Sequence, residues 1–225
     1  MDQDLLPDTT SQFPETPPPY GDAREYLADT LEKVRALVGR HLLRHPARHV
    51  GDDLRPKREQ GRSVDLPELR QILANNLVIT DRVEDLDEWL AEFSAHMERR
   101  LAATTRAGRS LPVQRLQERF RLTPAALELL LTIVAPELDE DLLRAYTVAW
   151  SDFTRRQGDV AFYSSLLATS FAEQEQVRDL LLEDGPLVGP GLVELTDPGG
   201  FTPRAPVLFR RVKAAERIVE HLRGR

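Results

Sequence analysis

A mainly α-helical fold carrying one small two-stranded β-hairpin near its C-terminus is what this sequence predicts, on three observations. Apolar residues recur at three- and four-residue steps over Leu27, Leu31, Val34, Val38 and Leu42, and again over Leu86, Leu90, Phe93, Met97 and Leu101. That is the spacing of one face of a helix. The run from Ala125 to Ala135 is apolar almost all round, so a helix there has no side to give to water and belongs inside a core. Late in the chain, two short apolar pieces, Leu192 to Leu195 and Val207 to Phe209, flank Asp197-Pro198-Gly199-Gly200, a turn signal that makes them a hairpin.

Taken in order, the chain begins with acids at Asp2 and Asp4 and five prolines between Met1 and Gly21. Residues 1–19 read as a disordered proline-rich tail, and the absence of a basic, apolar leader predicts a cytoplasmic protein. Asp22 with Glu25 makes an acidic capping box that opens a helix running to about Arg44. From His45 to Ser63 the apolar pattern lapses into a polar stretch with two prolines and two glycines, which reads as an exposed loop. A short helix around Leu66 to Leu73 and the long helix of Leu86 to Leu101 follow, and the two long helices form an antiparallel hairpin over residues 20–108.

In the second half, Thr123 is suited to cap a helix and Pro124 to occupy its first position. Pro136 is expected to break that helix and Asp139 to start the next, with Leu143, Tyr146 and Trp150 along one side. Val160 to Leu167 predicts a short helix. Ser170 and Glu173 form a capping box for another, whose Val177, Leu180 and Leu181 point inward before Glu183-Asp184-Gly185-Pro186 ends it. After the hairpin, Val212 to Leu222 reads as a final helix with Ala215, Ile218, Val219 and Leu222 on one face. Helices followed by a two-stranded hairpin are the grammar of a winged-helix domain, here over residues 111–225.

One block carries a resemblance. Ala135-Pro136-Glu137-Leu138-Asp139, followed by Tyr146, Trp150, Asp152, Arg155 and Arg156, resembles the N-terminal region of a family of large bacterial AAA+ ATPases. The likeness continues more loosely through Gly185 to Leu195 and Ala205 to Phe209. It implies a winged helix for this region and a motor following it, C-terminal to Arg225. It further implies a non-catalytic regulatory or substrate-recruiting role. The partner would be protein: the chain's own motor module, a substrate, or a component of a contractile injection particle of the kind such ATPases accompany. Homo-oligomers would form through the motor.

Composition narrows the remaining classes. With 225 residues, 41% of them hydrophobic, the chain can build a substantial core, and no apolar run approaches the roughly 20 residues that span a bilayer. Zero cysteines exclude disulfides, thiolate metal sites and cysteine nucleophiles. No Gly-Lys P-loop, GxSxG, HExxH or GxGxxG is present, so neither a catalytic residue nor a cofactor or metal ligand is assigned. His41, His45 and His49 recur every four residues, but Pro46 interrupts them and no carboxylate or cysteine completes a metal set. Trp89, Phe93, Tyr146 and Trp150 read as core rather than as a ligand cavity.

Of the 30 basic residues all but Lys33, Lys57 and Lys213 are arginine. Two runs stand out: Arg99, Arg100, Arg106, Arg109, Arg115, Arg119 and Arg121, then Arg204, Arg210, Arg211, Lys213, Arg217, Arg223 and Arg225. From these, Arg204, Arg210, Arg211, Arg106 and Arg109 are taken as a candidate partner-binding surface. DNA binding by a winged helix is the alternative function. It is disfavoured by the net charge of -7 and by the acids Glu173, Glu175, Asp179, Glu183 and Asp184 around the helix before the hairpin.

Overall fold

The architecture was obtained as a computed structural model, which describes residues 13–45, 82–150, 157–198 and 204–225. The expected short helix of residues 66–73 and most of the loop 45–63 lie outside these residues, as do His49, Asp152, Arg155 and Arg156. The fold is mainly helical, with eight α-helices and one two-stranded antiparallel sheet among the described residues.

Helix α1, Ala23–Arg44, opens where Asp22 accepts from the Arg24 and Glu25 amides, while the Glu25 carboxylate reaches back to the Gly21 amide. Helix α2, Val83–Arg106, runs antiparallel to it. Ion pairs fix the direction at both ends. Arg40 and Arg44 near the end of α1 meet Asp87 near the start of α2 at 3.1 and 2.7 Å. Arg100, late in α2, meets Glu25 and Asp29 at 2.9 Å each. The stripes predicted on both helices, Leu27, Val34, Val38 and Leu86, Leu90, Phe93, Met97, are buried between these ends.

The proline-rich start departs from the expected tail over its described part. Phe13 packs on Trp89, Phe93 and His96 of α2, and Pro17 is buried. Arg100 holds this segment down: its Nε donates to the Pro18 carbonyl and its guanidinium lies 3.9 Å over the Tyr20 ring. Prolines cannot donate backbone hydrogen bonds, so the segment is held by side chains instead.

Helix α3 spans Pro112–Phe120 and α4 spans Pro124–Leu138. Thr123 caps α4 by accepting from the Ala126 amide, and Leu129, Leu130, Val134 and Ala135 are fully enclosed. The expected break at Pro136 does not occur; the helix continues to Leu138. Pro136 lacks the N–H that would reach the Thr132 carbonyl, and the Tyr146 hydroxyl donates to that carbonyl instead, at 2.7 Å. Asp139 then caps α5, Glu140–Ala149, by accepting from the Leu142 amide, and its other oxygen takes Arg35 of α1 at 2.6 Å.

Helix α6, Val160–Leu167, is capped by Asp159, and α7, Phe171–Asp179, by the Ser170–Glu173 box. Strand β1 is Val193–Thr196 and β2 is Arg211–Ala214, with Val193 opposite Ala214 and Thr196 opposite Arg211. Helix α8, Glu216–Leu222, closes the chain. The hairpin is present but its second strand lies further on than expected: Val207–Phe209 is a 3-10 turn, and the strand, Arg211–Ala214, overlaps the start of the segment read as the last helix. The alternation of β2 explains it, with Val212 and Ala214 buried and Arg211 and Lys213 turned outward. Its Val212 amide also donates to the Gly158 carbonyl, so the segment before α6 supports the strand.

Hydrophobic packing is continuous from Tyr20 to Leu222, with α4 at its centre. α1 contacts α4, α5 and α6 as well as α2. Two of its side chains also reach the last turn of α6: Arg40 Nη2 donates to the Leu166 carbonyl at 3.0 Å, and the His41 ring nitrogen Nδ1 lies 3.3 Å from the Ser165 carbonyl.

Candidate partner-binding surface

The five arginines singled out in the sequence do not gather in one place. Arg204 and Arg210, on the connection between the strands, both engage Glu183 at the end of the α7 segment, at 2.9 and 3.1 Å. Arg210 is further held by Asp197 at 3.4 Å and by the Ala205 carbonyl. Arg211 starts β2, with its Nε buried and unbonded. Arg106 and Arg109 lie at the other junction, exposed at the end of α2 and before α3.

Lys213 is exposed on β2, and the remaining three of the second basic run are occupied locally. Arg217 donates to the Pro190 and Gly191 carbonyls, Arg223 to Glu220 and the Glu137 carbonyl, and Arg225 to Glu220. Charges paired with neighbouring carboxylates do not present a row of guanidiniums to a phosphate backbone. α7 has no buried residue and carries Glu173, Glu175 and Asp179 on its surface. Glu173 accepts from the Thr169 and Ser170 amides, which hold its carboxyl down at about 2 and keep it charged.

In the first basic run Arg100 is paired with Glu25 and Asp29, and the residues after it behave differently. Arg115 and Arg119 stand four residues apart on the exposed side of α3, whose other side buries Val113 and Leu116. Arg121 follows at the helix end in the left-handed conformation, φ 51. Sequence reasoning named this run but selected only Arg106 and Arg109 from it. The signal for the others was there, in the four-residue step of Arg115 and Arg119 beside the apolar Val113, Leu116 and Phe120.

Other candidate features sort into structure. His41 is buried with its ring 4.7 Å from that of His45 and edge-on to Phe162. Among the described residues no group of three or more potential ligands could hold a metal ion. The four aromatics weighed as a cavity lining fall into two separate clusters, Trp89 and Phe93 with Phe13, and Tyr146 and Trp150 with Phe162. A cleft of about 360 Å³ between α1, α2, α3 and α4 has an apolar lining that includes Val34, Met97 and Leu131, and the Lys33–Glu128 pair lies among its walls. No described helix is long and apolar enough to cross a membrane.

A family model described as "Winged helix domain, variant" matches residues 10–225. The chain belongs to that family. No curated protein and no solved structure matches it. As a winged helix domain variant it is a DNA-binding or protein-interaction module, with β1 and β2 as its wing and α7 as the helix before the wing. In this winged helix the surface of that helix is acidic, and Arg204 and Arg210 beside the wing are paired within the chain.

Proposed function

We propose that this chain is a non-catalytic, protein-binding module, the regulatory or substrate-recruiting N-terminal region of an AAA+ ATPase. The observation that carries protein over nucleic acid is the charge around the wing. Arg204 and Arg210 are neutralised by Glu183 and Asp197 while Glu173, Glu175 and Asp179 stand exposed on α7. A polyanion laid against that helix would meet like charge. The AAA+ assignment is supported by the resemblance around Ala135 to Asp139. Its partner would be the motor module or a substrate, such as a component of a contractile injection particle.

The test has two arms. Crosslinking the tagged chain in its native cells, followed by mass spectrometry, should recover an AAA+ ATPase, either as the continuation of the same polypeptide or as a partner. On duplex DNA at physiological ionic strength no mobility shift should appear. A sequence-selective shift abolished by Arg210→Glu with Arg211→Glu would replace this reading with the DNA-binding one. Titration with ATP and Mg²⁺ should show no saturable binding, since no residue set here resembles a triphosphate site.

A further inference from the structure

Across most of the described structure, arginines meet carboxylates: Arg35 with Asp139, Arg100 with Glu25 and Asp29, Arg144 with Glu140, Arg210 with Glu183. In a chain with 37 acids against 30 bases this is the expected outcome. Among the described residues, the longest exposed run that escapes it lies at the end of α2 and on α3. Arg106, Arg109, Arg115, Arg119 and Arg121 are all exposed, and none of them forms an ion pair among the described residues.

Two of these charges are held in place by hydrogen bonds without being neutralised. Arg115 Nη1 donates to the Ser110 carbonyl at 2.7 Å and Arg109 Nη1 to the Gly21 carbonyl at 3.3 Å. Gln114 Nε2 donates to Thr105 Oγ1 at 2.8 Å, which draws the first turn of α3 onto the last turn of α2. Arg119 lies over the Phe120 ring at 5.9 Å. α3 itself is anchored by buried Pro112, Val113 and Leu116. Loose surface charges lose much of their binding free energy to side-chain ordering; here backbone carbonyls and a short helix limit that loss.

We propose that the end of α2 and the exposed side of α3 form a docking surface for an acidic segment of a partner protein. The proposal rests on the protein-interaction reading above and names the chemistry of the partner. Guanidinium forks match carboxylates in bidentate geometry. Arg115 and Arg119, four residues apart, complement acids at the same spacing on a partner helix. The surface is compact: nine residues of α3 extend about 14 Å at about 1.5 Å per residue. That suits one or two turns of an acidic helix. A duplex backbone would need a longer track of charge than one nine-residue helix offers.

The test uses the full chain and a defined probe, a fluorescein-labelled alanine-based helical peptide with glutamates at four-residue spacing. Its controls are the same peptide with lysines in place of glutamates, and a labelled DNA duplex. Fluorescence anisotropy at low ionic strength should show saturable binding of the glutamate peptide only. Arg115→Glu with Arg119→Glu should weaken it roughly tenfold or more, and added salt should weaken it in the unmodified chain. Arg204→Glu with Lys213→Glu should leave it unchanged. Arg106→Glu with Arg119→Glu provides a second variant, since neither side chain bonds to the backbone; circular dichroism and melting check that each variant is folded.

Absence of glutamate-peptide binding, or equal binding by both folded charge-reversed variants, overturns the docking surface and leaves the protein-interaction reading standing. Duplex binding that Arg115→Glu with Arg119→Glu abolishes overturns both, and assigns the surface to nucleic acid.

Discussion

Pro136 has no N–H for the carbonyl of Thr132, and in α4 that carbonyl is served by the Tyr146 hydroxyl. Burial raises the Tyr146 pKa well above that of an ordinary phenol, so the group remains a donor over the working pH range. Tyr146→Phe should therefore leave a buried carbonyl unsatisfied and cost about 1–3 kcal/mol. Pro136→Ala restores an N–H to the same carbonyl and should recover part of that loss in the Tyr146→Phe background. Urea unfolding of the single and double variants gives the coupling; strict additivity would mean that the hydroxyl does not stand in for the missing amide. Leu130, fully enclosed in the same helix, offers a cavity measurement, and Leu130→Ala should cost about 2–5 kcal/mol.

Among the elements, α7 shows how a short helix without a buried residue is kept in place at its N-terminus. Glu173 accepts from the Thr169 and Ser170 amides and from the Thr169 hydroxyl, and these bonds hold its carboxyl down at about 2. A depressed carboxylate contributes stability that is present above its unfolded pKa of roughly 4.3 and is lost as pH falls through the folded value. Acidification from about pH 4.3 to about pH 2 should fray the start of α7. Carbon-detected NMR of the Glu173 carboxyl should place its midpoint near the lower end, and a midpoint at the ordinary glutamate value would refute the cap.

That cap was readable in the sequence, as were Thr123, Asp139 and the stripes of α1 and α2, because each depends on neighbours within four residues. The second strand was misplaced because what fixes it is not local. Val-Leu-Phe at 207–209 has the composition of a strand, yet the alternation that marks a half-buried strand belongs to Arg211-Val212-Lys213-Ala214, whose partner Val193–Thr196 is distant in sequence. The run through Pro136 was illegible for the same kind of reason, since its remedy comes from Tyr146, on the next helix.

For the whole molecule, the connection between α1 and the winged half is decisive. Arg40 and His41 meet the last-turn carbonyls of α6, Arg35 meets the cap of α5, and hydrophobic packing is continuous across both halves. Single-tryptophan variants can test this. Trp89→Phe leaves Trp150 as reporter and Trp150→Phe leaves Trp89, one on each side of the chain's midpoint. Their urea transitions should coincide with each other and with that seen by circular dichroism. Separate midpoints would mean that α1 and α2 unfold apart from the rest. Of the candidate surface, the sequence supplied the arginines but not their company. Which ones are neutralised depends on carboxylates distant in the chain, as Glu183 is from Arg204 and Arg210, and only the fold decides it.

The pairing of Pro136 with Tyr146 also bears on how relatives of this chain can drift. A lineage that replaces the proline gains a backbone donor, and the aromatic position on α5 is then released to phenylalanine without penalty. A lineage that loses the hydroxyl first must pass through an intermediate with an orphaned carbonyl. The order of substitutions is therefore constrained, and sequences combining proline at the first position with phenylalanine at the second should be depleted relative to the other three combinations.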